Sequence, residues 1–555
     1  MKKRILSLIL TVAMMLSVMT ILPISVSAEE ATFSTTQLQI KNLADFVAFN
    51  NLVDGGETFS GKTVELVTDV TLPADWNGIG AFGTEKVFSG TFEGNGHTIT
   101  VSGTRGTGED VGGVFDMVVN GTLQNFNVVG TLALSCNYFG GVIGGVGGDT
   151  TLKNLHVSVN IETNGKNAGR VGGIVATITK HIADSKLTFD GCVYDGTMNF
   201  SNQAYLNGGF LATTHQKGED RQVIFKNCVY AGTMSFNDSS YSVFNGGFVG
   251  AVQYTATAEF TDCISVGKMT FKGGTYKDYN GVAVGLYPQD TAPISINNFY
   301  YVGFDNGSGG TIKAVSAYTR TEYTSGDYVE HTGSYGTATN VEQKTLDAIA
   351  ALTASDFSAN ATFSFKANTD LDTYYPCPTG LVQDGAWVDS LKVSVDAKVL
   401  GARIRITGEN DKYSGIRFEA LFRETENTKN ANTADANFGL ILISKTAYEA
   451  WSKLEGEAKT FAALEEAGVV VNAVKATTED SVITVKATVY DIDVANYKDE
   501  IVAVPFVDGA IVGDAVARSI YGVAEECVEQ NNDTDTAIAF AKKVIKDADE
   551  YVAQQ

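Results

Sequence analysis

The chain has 555 residues, of which 19% are charged and 44% hydrophobic, and its 58 glycines and 7 prolines fit neither collagen nor a disordered chain. A formal net charge of −24 opposes binding to nucleic acid phosphates and to anionic lipid surfaces. The length predicts two or three domains.

The first 28 residues predict a cleaved signal peptide. The basic segment 2–4 precedes an uncharged apolar stretch from Ile5 to Ile24, and the small residues Val26-Ser27-Ala28 suit signal peptidase, with cleavage before Glu29. An uncleaved anchor is the alternative, which Pro23 disfavours. No membrane span is predicted after cleavage. We therefore expect a secreted protein, either extracellular or non-covalently associated with the cell surface.

A helix is predicted over residues 42–53, at the start of the mature chain. Asn42 is a candidate N-cap with Asp45 three residues later, and Leu43, Phe46 and Phe49 give the segment an apolar side. Because repeated β-structures need their open ends covered, we expect this helix to cap the repeats that follow.

Six copies of one pattern occupy residues 106–304. The first element is a Gly-containing turn into an apolar run, at residues 111–115, 139–143, 171–175, 207–211, 245–249 and 280–284. The second pairs a polar corner with an inward residue, at Asn125-Phe126, Asn154-Leu155, Gly191-Cys192, Asn227-Cys228, Asp262-Cys263 and Asn298-Phe299. The third is Met198-Asn199-Phe200, Met234-Ser235-Phe236 and Met269-Thr270-Phe271.

Short β-runs between Gly and Asn turns, repeating with identical residue types, predict a parallel β-helix solenoid. Helical repeats are the rival at this period, but the copies lack an i, i+3, i+4, i+7 stripe. The predicted fold class is mainly β, a parallel β-helix with an N-terminal capping helix followed by a smaller α+β domain. The predicted domains are 1–28 (signal peptide), 29–385 (β-helix with helix cap and C-terminal closing segment) and 386–555 (α+β module).

The segment Phe92-Glu93-Gly94-Asn95-Gly96-His97-Thr98-Ile99, with the Gly-Gly-aliphatic and Asn-apolar copies after it, resembles the bacterial GLUG-repeat surface proteins. The resemblance covers about residues 36–310 and implies a right-handed parallel β-helix of the pectate-lyase type at a cell surface. It implies fold and location more than activity. Residues 374–378 are expected to close the last coil, after a segment that includes a predicted helix from Val341 to Leu352.

Beyond Gly380 the periodicity changes and predicts an α+β module. Strands are expected over Leu391–Ile406, Gly415–Phe422, Phe438–Ile443, Val482–Tyr490 and Ile501–Val507, and helices over Ala515–Glu529 and 534–552. The segments Gly415-Ile416-Arg417-Phe418 and Ala517-Arg518-Ser519-Ile520-Tyr521 are similar to a C-terminal module of secreted modular bacterial proteins.

The outward positions predict no catalytic residue, metal ligand or cofactor site. Enzymes that cleave acidic polysaccharides on a β-helix need several carboxylates on neighbouring coils, and Asp195 is the one acidic residue at the outward positions of the second element. The five histidines share no ligand spacing. Cys192, Cys228 and Cys263 occupy a slot filled by Phe126, Leu155 and Phe299 elsewhere, which predicts buried free thiols rather than metal ligands.

Two sets of outward residues are candidate binding surfaces. Tyr205, Tyr241 and Tyr276 recur in polar loops at intervals of 36 and 35, and a stack of phenol rings suits sugar rings; the alternative is that they cover the core. Val193, Val229, Ile264 and Tyr300 form an outward apolar stripe, which predicts a partner interface or a surface packed under a loop or the C-terminal domain.

The leading functional hypothesis is a non-catalytic surface protein that uses a β-helix for adhesion or for binding a polysaccharide or cell-surface glycan. The alternatives are a β-helix polysaccharide lyase or glycoside hydrolase, and a structural spacer. No sequence feature identifies the ligand.

Overall fold

The computed structural model describes residues 31–554 apart from 164–167, 180–181, 203, 215–220, 238–241, 254–255, 273–279, 287–293, 306–310, 313, 316–318, 325–326, 333–336, 384, 407–414, 455–458, 480 and 532. The predicted signal peptide lies outside these residues. The chain forms two compact units. The N-terminal unit contains the chain up to Phe365 and returns for Pro376–Leu391, and the C-terminal unit contains Lys366–Tyr375 and Lys392–Gln555.

The N-terminal unit is mainly β and is dominated by a large sheet in which every pairing is parallel. Its 19 strands are Gln39–Ile40, Thr63–Leu66, Val70–Thr71, Thr91–Glu93, Thr98–Val101, Thr104–Gly112, Thr122–Gly140, Asp149–Glu162, Val171–Gly172, Lys186–Asp190, Val193–Tyr194, Thr197–Phe200, Gln222–Lys226, Val229–Tyr230, Thr233–Phe236, Thr257–Ser265, Lys268–Phe271, Ile294–Tyr301 and Thr337–Gln343.

Two further parallel sheets belong to this unit. The six-stranded sheet contains Phe115–Val119, Ile143–Gly147, Val175–Ile178, Leu211–Thr213, Val249–Ala251 and Val284–Leu286, and the three-stranded sheet contains Ala168–Gly169, Ala204–Tyr205 and Ser242–Val243. The antiparallel pairs of the unit are Phe304–Asp305 with Thr311–Ile312, Thr319–Thr324 with Asp327–Thr332, and Phe363–Ser364 with Cys377–Pro378.

The strand register confirms the predicted equivalence of the later repeats. Met198 pairs with Met234, which pairs with Met269, and the Phe residues two positions later follow the same register. The rings of Phe200 and Phe236 are stacked with their centroids 5.0 Å apart. Identical residues therefore lie directly above one another, and each repeat buries its inward side chains against the next.

The predicted slot for Cys192, Cys228 and Cys263 is part of this core. All three side chains are fully buried and their thiols are free. Burial raises the pKa of Cys192 and of Cys228 well above the usual thiol value, because a thiolate would lose its hydration there. The prediction of buried, reduced cysteines is confirmed.

The Gly-Gly turns are joined by a buried row of amides. The Asn207 side chain donates to Asn245 Oδ1 at 2.9 Å, and the Asn245 side chain donates to Asn280 Oδ1 at 2.9 Å. Gly172, in the same kind of turn, has no room for a side chain, because a Cβ would lie 1.8 Å from the carbonyl oxygen of Val175. These turns therefore require both residue types, glycine for space and asparagine for hydrogen bonding.

Helix α1 (Leu43–Asp54) begins where the sequence predicts it, with the Asn42 side chain accepting a hydrogen bond from the Asp45 amide at 2.9 Å. Its Phe46 and Phe49 rings pack on Phe92 and its neighbours in the core. The Asp45 carboxylate accepts hydrogen bonds from the amides of Thr32, Phe33 and Lys41. Burial would raise the pKa of Asp45, but these bonds hold it below its usual value.

The predicted helix from Val341 to Leu352 is wrong in its first half. Val341 belongs to the strand Thr337–Gln343 and pairs with Phe299, because alternating residues there continue the ladder of the repeats. Helix α2 (Leu346–Ala350) begins only after Thr345, whose hydroxyl accepts a hydrogen bond from the Ala348 amide.

The C-terminal unit combines antiparallel sheets with helices. Asp372–Tyr374 pairs with Lys392–Ser394. A four-stranded sheet contains Ala397–Arg405, Gly415–Arg423, Val482–Tyr490 and Ala476–Glu479, and a five-stranded sheet contains Val469–Asn472, Phe438–Ser444, Ile501–Val507, Ala510–Ile511 and Val516–Arg518. The helices are α3 (Lys445–Ser452), α4 (Phe461–Ala467), α5 (Ile520–Gln530) and α6 (Asp535–Ala553). The strands at 415–423, 438–444, 482–490 and 501–507 and helix α6 confirm the predicted elements. The helix predicted from Ala515 begins only at Ile520, because Val516–Arg518 pairs as a strand with the segment 501–503. The predicted strand Leu391–Ile406 is divided into Lys392–Ser394 and Ala397–Arg405.

Helices α3 and α4 are not predicted from the sequence, because each is only seven or eight residues long. Short 3₁₀ turns occur at Ala354–Asp356, Thr379–Leu381, Asp389–Leu391 and Val494–Asn496. Within the described part of the chain, no helix combines the length and apolarity needed to cross a membrane.

Candidate functional site

The polar corners of the repeats form a continuous row. The corner residue has a left-handed backbone conformation in each repeat, with φ between 50° and 65°, at Asn95, Asn125, Asn154, Gly191, Asn227, Asp262, Asn298 and Asn340. Asparagine, aspartate and glycine are the residues that adopt this conformation most readily. The amides also bridge neighbouring repeats: Asn154 donates to Asn125 Oδ1 at 2.9 Å, and Asn298 donates to Asp262 Oδ1 at 2.8 Å.

A later part of the N-terminal unit passes along this row in the opposite direction. We call residues 354–365 with 376–391 the returning segment. Its Ser358 amide donates to Asp262 Oδ1 at 2.9 Å, and its Thr362 amide donates to Asn227 Oδ1 at 3.0 Å. The corner residues therefore use their side chains to bind the returning segment as well as one another.

The second half of the returning segment reaches the earlier repeats. Gly380 lies so close to Asn154 that a Cβ would be 2.2 Å from the amide group, and the Gln383 amide lies against Gly96. The segment thus contacts corners in descending order along the chain, from Asp262 towards the first repeats.

The predicted apolar stripe lies beside these contacts. Val193, Val229, Ile264 and Tyr300 pair in one parallel register and are at most 4% exposed. The Tyr300 hydroxyl donates to the Asp356 carbonyl oxygen, and its ring packs edge-on against Phe357 of the returning segment. All four side chains are buried, so the stripe offers no exposed face at which to form an interface. The alternative prediction, packing beneath another part of the chain, fits this burial.

A cleft of about 610 Å³ opens over the earlier repeats, where the positions equivalent to the apolar stripe carry polar side chains. Its lining comes from the repeats on one side and from the returning segment on the other: Glu93, Asn95, Gly96, Asn125, Phe126, Asn127, Asn154 and His156, facing Gly380, Leu381, Gln383, Ala386, Trp387, Val388 and Asp389. Asn127 and His156 occupy the same register row as Val193. The cleft combines one indole ring with several amides and two carboxylates, and its lining contains no lysine or arginine.

Glu93 is held in place by the repeats. Its carboxylate accepts hydrogen bonds from the Asn95 amide at 2.9 Å, from the Gln124 side chain at 2.7 Å and from the Asn125 side chain at 3.0 Å. These donors occupy most of its acceptor positions. Glu93 therefore stabilises the cleft wall more than it offers a free acid or base.

His156 forms the closest polar pair at the cleft. Its Nε2 lies 2.6 Å from Asp195 Oδ2, and the two side chains are 17% and 6% exposed. Burial would raise the pKa of Asp195, but the hydrogen bond and the charge of His156 hold it below its usual value. Asp195 thus fixes the orientation of an imidazole that lines the cleft.

Of the predicted tyrosine ladder, the structure describes Tyr205 alone. Tyr205 is half-buried and pairs with Val243, while Tyr241 and Tyr276 lie outside the described residues. On the other side, the Tyr205 ring covers Gly169.

The remaining residues with side chains suited to catalysis or metal binding are His97 and the other His, Cys, Asp and Glu residues. His97 Nδ1 lies 3.1 Å from Asp69 Oδ1 at a corner of the first repeats. Among the described residues, no group of three or more His, Cys, Asp or Glu side chains is arranged to hold a metal ion.

Trp387, Gln383 and Asp389 are the cleft residues that sequence reasoning missed. They follow the last repeat, and the predicted domain boundary at 385/386 assigns Trp387 and Asp389 to the C-terminal module. The signal available in the sequence was a tryptophan, one of three in the chain, two residues after Gly385.

Comparison with known proteins gives one partial likeness. A stretch of 151 residues, 25% of this chain, is 30% identical to part of Halomucin from Haloquadratum walsbyi (strain DSM 16790 / HBSQ001), and it covers 2% of that protein's length. No protein-family model matches the chain, and no solved structure matches it. The resemblance to GLUG-repeat proteins stays a prediction.

Proposed function

We propose that this protein is a secreted, non-catalytic β-helix protein that binds a neutral glycan in the cleft beneath the returning segment. Residues 1–28 would be removed on export, and α1 would cover the N-terminal end of the solenoid. The parallel sheets and their register, with identical side chains one above another, support the β-helix.

The lining of the cleft is the observation that carries the proposal. An indole ring provides a flat apolar face for a sugar ring, and the amides of Asn95, Asn127 and Gln383 provide donors and acceptors for hydroxyl groups. The volume of about 610 Å³ lies in the range of small-molecule sites. Because the lining carries Glu93 and Asp389 and no basic side chain except His156, it favours neutral over acidic sugars.

The test is titration of the mature protein with a panel of neutral oligosaccharides. Binding is measured by isothermal titration calorimetry and by tryptophan fluorescence. Replacing Trp387 with alanine should weaken binding by about 0.5–1.5 kcal/mol, or roughly 2- to 13-fold, by removing the stacking face. Trp451→Ala in α3 is the matched control and should retain the affinity. Unchanged affinity in a folded Trp387→Ala variant would refute the site, and absence of binding across the panel would refute the function.

The tyrosine surface predicted from the sequence is a secondary candidate for the same ligand class. Tyr205 has a half-buried ring at an edge, where its strand pairs with Val243. Binding that survives Trp387→Ala and is lost in Tyr205→Ala would move the site to this edge.

Glycan hydrolysis is the second candidate function, and the His156–Asp195 pair favours it. A histidine oriented by a buried carboxylate can take up and release a proton. Release of new reducing ends from a bound glycan, abolished in Asp195→Asn with binding retained, would establish the enzyme and contradict the non-catalytic proposal.

A further inference from the structure

Three arginines lie side by side on the outer face of the four-stranded sheet in the C-terminal unit. Arg403 and Arg417 are directly opposite each other on neighbouring strands. Arg405 lies two residues further along its strand, in the row that contains Gly415 and Tyr490. The intervening residues Ile404 and Ile416 point into the core, so the arginines share the opposite face.

This arrangement is electrostatically unfavourable for the folded chain alone. Like charges directly opposite each other destabilise a strand pair. Partial burial and the charge of Arg405 lower the pKa of Arg417 from its usual value. Glu419, an acidic residue on the next row, lies 3.6 Å from Lys486. Among the described residues, which leave out 407–414, no ion pair engages any of the three arginines. The cluster occurs in a chain with 64 acidic and 40 basic residues.

Neighbouring groups on the same face suit a sugar ring. Tyr490 is 51% exposed and completes the row of Arg405. Thr488 completes the row of Arg417, whose Nε donates to the Thr488 hydroxyl at 3.2 Å. Successive rows on this face are about 7 Å apart, since two residues of a strand separate them. One row therefore carries a guanidinium group and a phenol ring, and the next row carries two guanidinium groups and a hydroxyl.

We propose that Arg403, Arg405 and Arg417, together with Tyr490, form a binding site for a polysaccharide that carries carboxylate groups. A guanidinium group binds a carboxylate through two parallel hydrogen bonds, and the exposed phenol ring supports the face of the sugar that bears it. Carboxylates of the ligand relieve the repulsion between the opposed arginines. The ligand class differs from the neutral glycan of the cleft, and the two sites share no residue.

The experiment measures binding of polygalacturonate to the full mature chain, by affinity electrophoresis and by calorimetry, at an ionic strength of about 50 mM. The double variant Arg403→Gln/Arg417→Gln should lose at least about tenfold in affinity, with an unfolding midpoint equal to or above that of the parent, because a like-charge pair is removed. The control Lys542→Gln/Lys546→Gln on α6 makes the same change in net charge and should keep the affinity within about twofold.

Two further arms fix the chemistry of the ligand and separate this site from the cleft. Neutral dextran should not bind to the arginine face, and Trp387→Ala should bind polygalacturonate as the parent does. Equal loss of affinity in the lysine and arginine variants would overturn the proposal. Binding of dextran sulfate or single-stranded DNA as tight as that of polygalacturonate would overturn the assignment to carboxylates.

Discussion

The two ends of one row of outward positions are built on the same backbone but have opposite character. In the earlier repeats the row carries Asn127 and His156, which line a cleft. In the later repeats it carries Val193, Val229 and Ile264, which are fully buried. The same register position therefore serves as a polar wall or as an apolar support. The side chain decides whether the chain packs down on it or leaves a space above it.

The two ends differ in the free energy of removing their side chains from water. Burying a valine side chain contributes about 1.5–3 kcal/mol, whereas burying an amide or imidazole without a partner costs free energy. The returning segment can therefore pack tightly over the valines. Above Asn127 and His156 a close fit would remove water from polar groups, and a cleft remains.

The largest expected effect comes from placing a charge at the apolar end. Val229→Asp and Cys228→Asp change two consecutive, fully buried residues, and both should lower stability by about 3–5 kcal/mol, because each leaves an unpaired charge in a dry environment. Thermal and urea unfolding measure the effect. Thr233→Asp, at a half-buried position, is the control. A Val229→Asp variant as stable as Thr233→Asp would show that the stripe is open to water.

A smaller effect is expected at the polar end from Asp195→Asn. Loss of the charged partner of His156 should lower stability at neutral pH by about 1–3 kcal/mol. Because the pKa of Asp195 is below the usual 3.8, its contribution is present above about pH 5 and is lost as the pH falls through the folded-state value.

Urea unfolding of parent and variant at several pH values checks this prediction. The difference in unfolding free energy between them should be largest at neutral pH and should shrink on acidification. His156→Gln is the companion variant and should reproduce the neutral loss. A difference that does not change with pH would contradict a stabilising role for the ionised carboxylate.

The smallest effect is expected at the boundary between the stripe and the returning segment. Tyr300→Phe removes the hydroxyl that donates to the Asp356 carbonyl oxygen at 2.5 Å and should lower stability by about 0.5–1.5 kcal/mol. Tyr205→Phe is the matched control at an edge and should leave the unfolding midpoint unchanged. Equal midpoints for both variants would show that this hydrogen bond does not anchor the segment.

The sequence was sufficient for features that repeat at short range and insufficient for those that do not. The intervals between Met198, Met234 and Met269 predict the register correctly, because each repeat packs directly on the next. The helix predicted from Val341 fails in its first half, because Val341 pairs with Phe299 as part of a parallel strand. Local periodicity cannot show that such a pairing with a distant strand overrides it.

The cleft illustrates a second limit. Its polar residues on the repeat side, such as Asn127 and His156, are visible as outward positions in the sequence pattern. Trp387 and Gln383 lie opposite them in the cleft although more than 200 residues of chain intervene, and no periodic pattern in the sequence predicts that contact. The contact between Ser358 and Asp262 joins residues 96 positions apart, and the sequence pattern does not predict it either.

The returning segment has a consequence for how this chain can change in evolution. Repeat proteins lengthen by duplicating a unit, which in a parallel stack adds about 4.8 Å. Here Ser358 meets Asp262 while Gly380 meets Asn154, so an extra unit between these corners would shift one contact relative to the other. A unit added outside the stretch that the segment contacts leaves both contacts in place, so the ends of the stack tolerate an added repeat better than its middle.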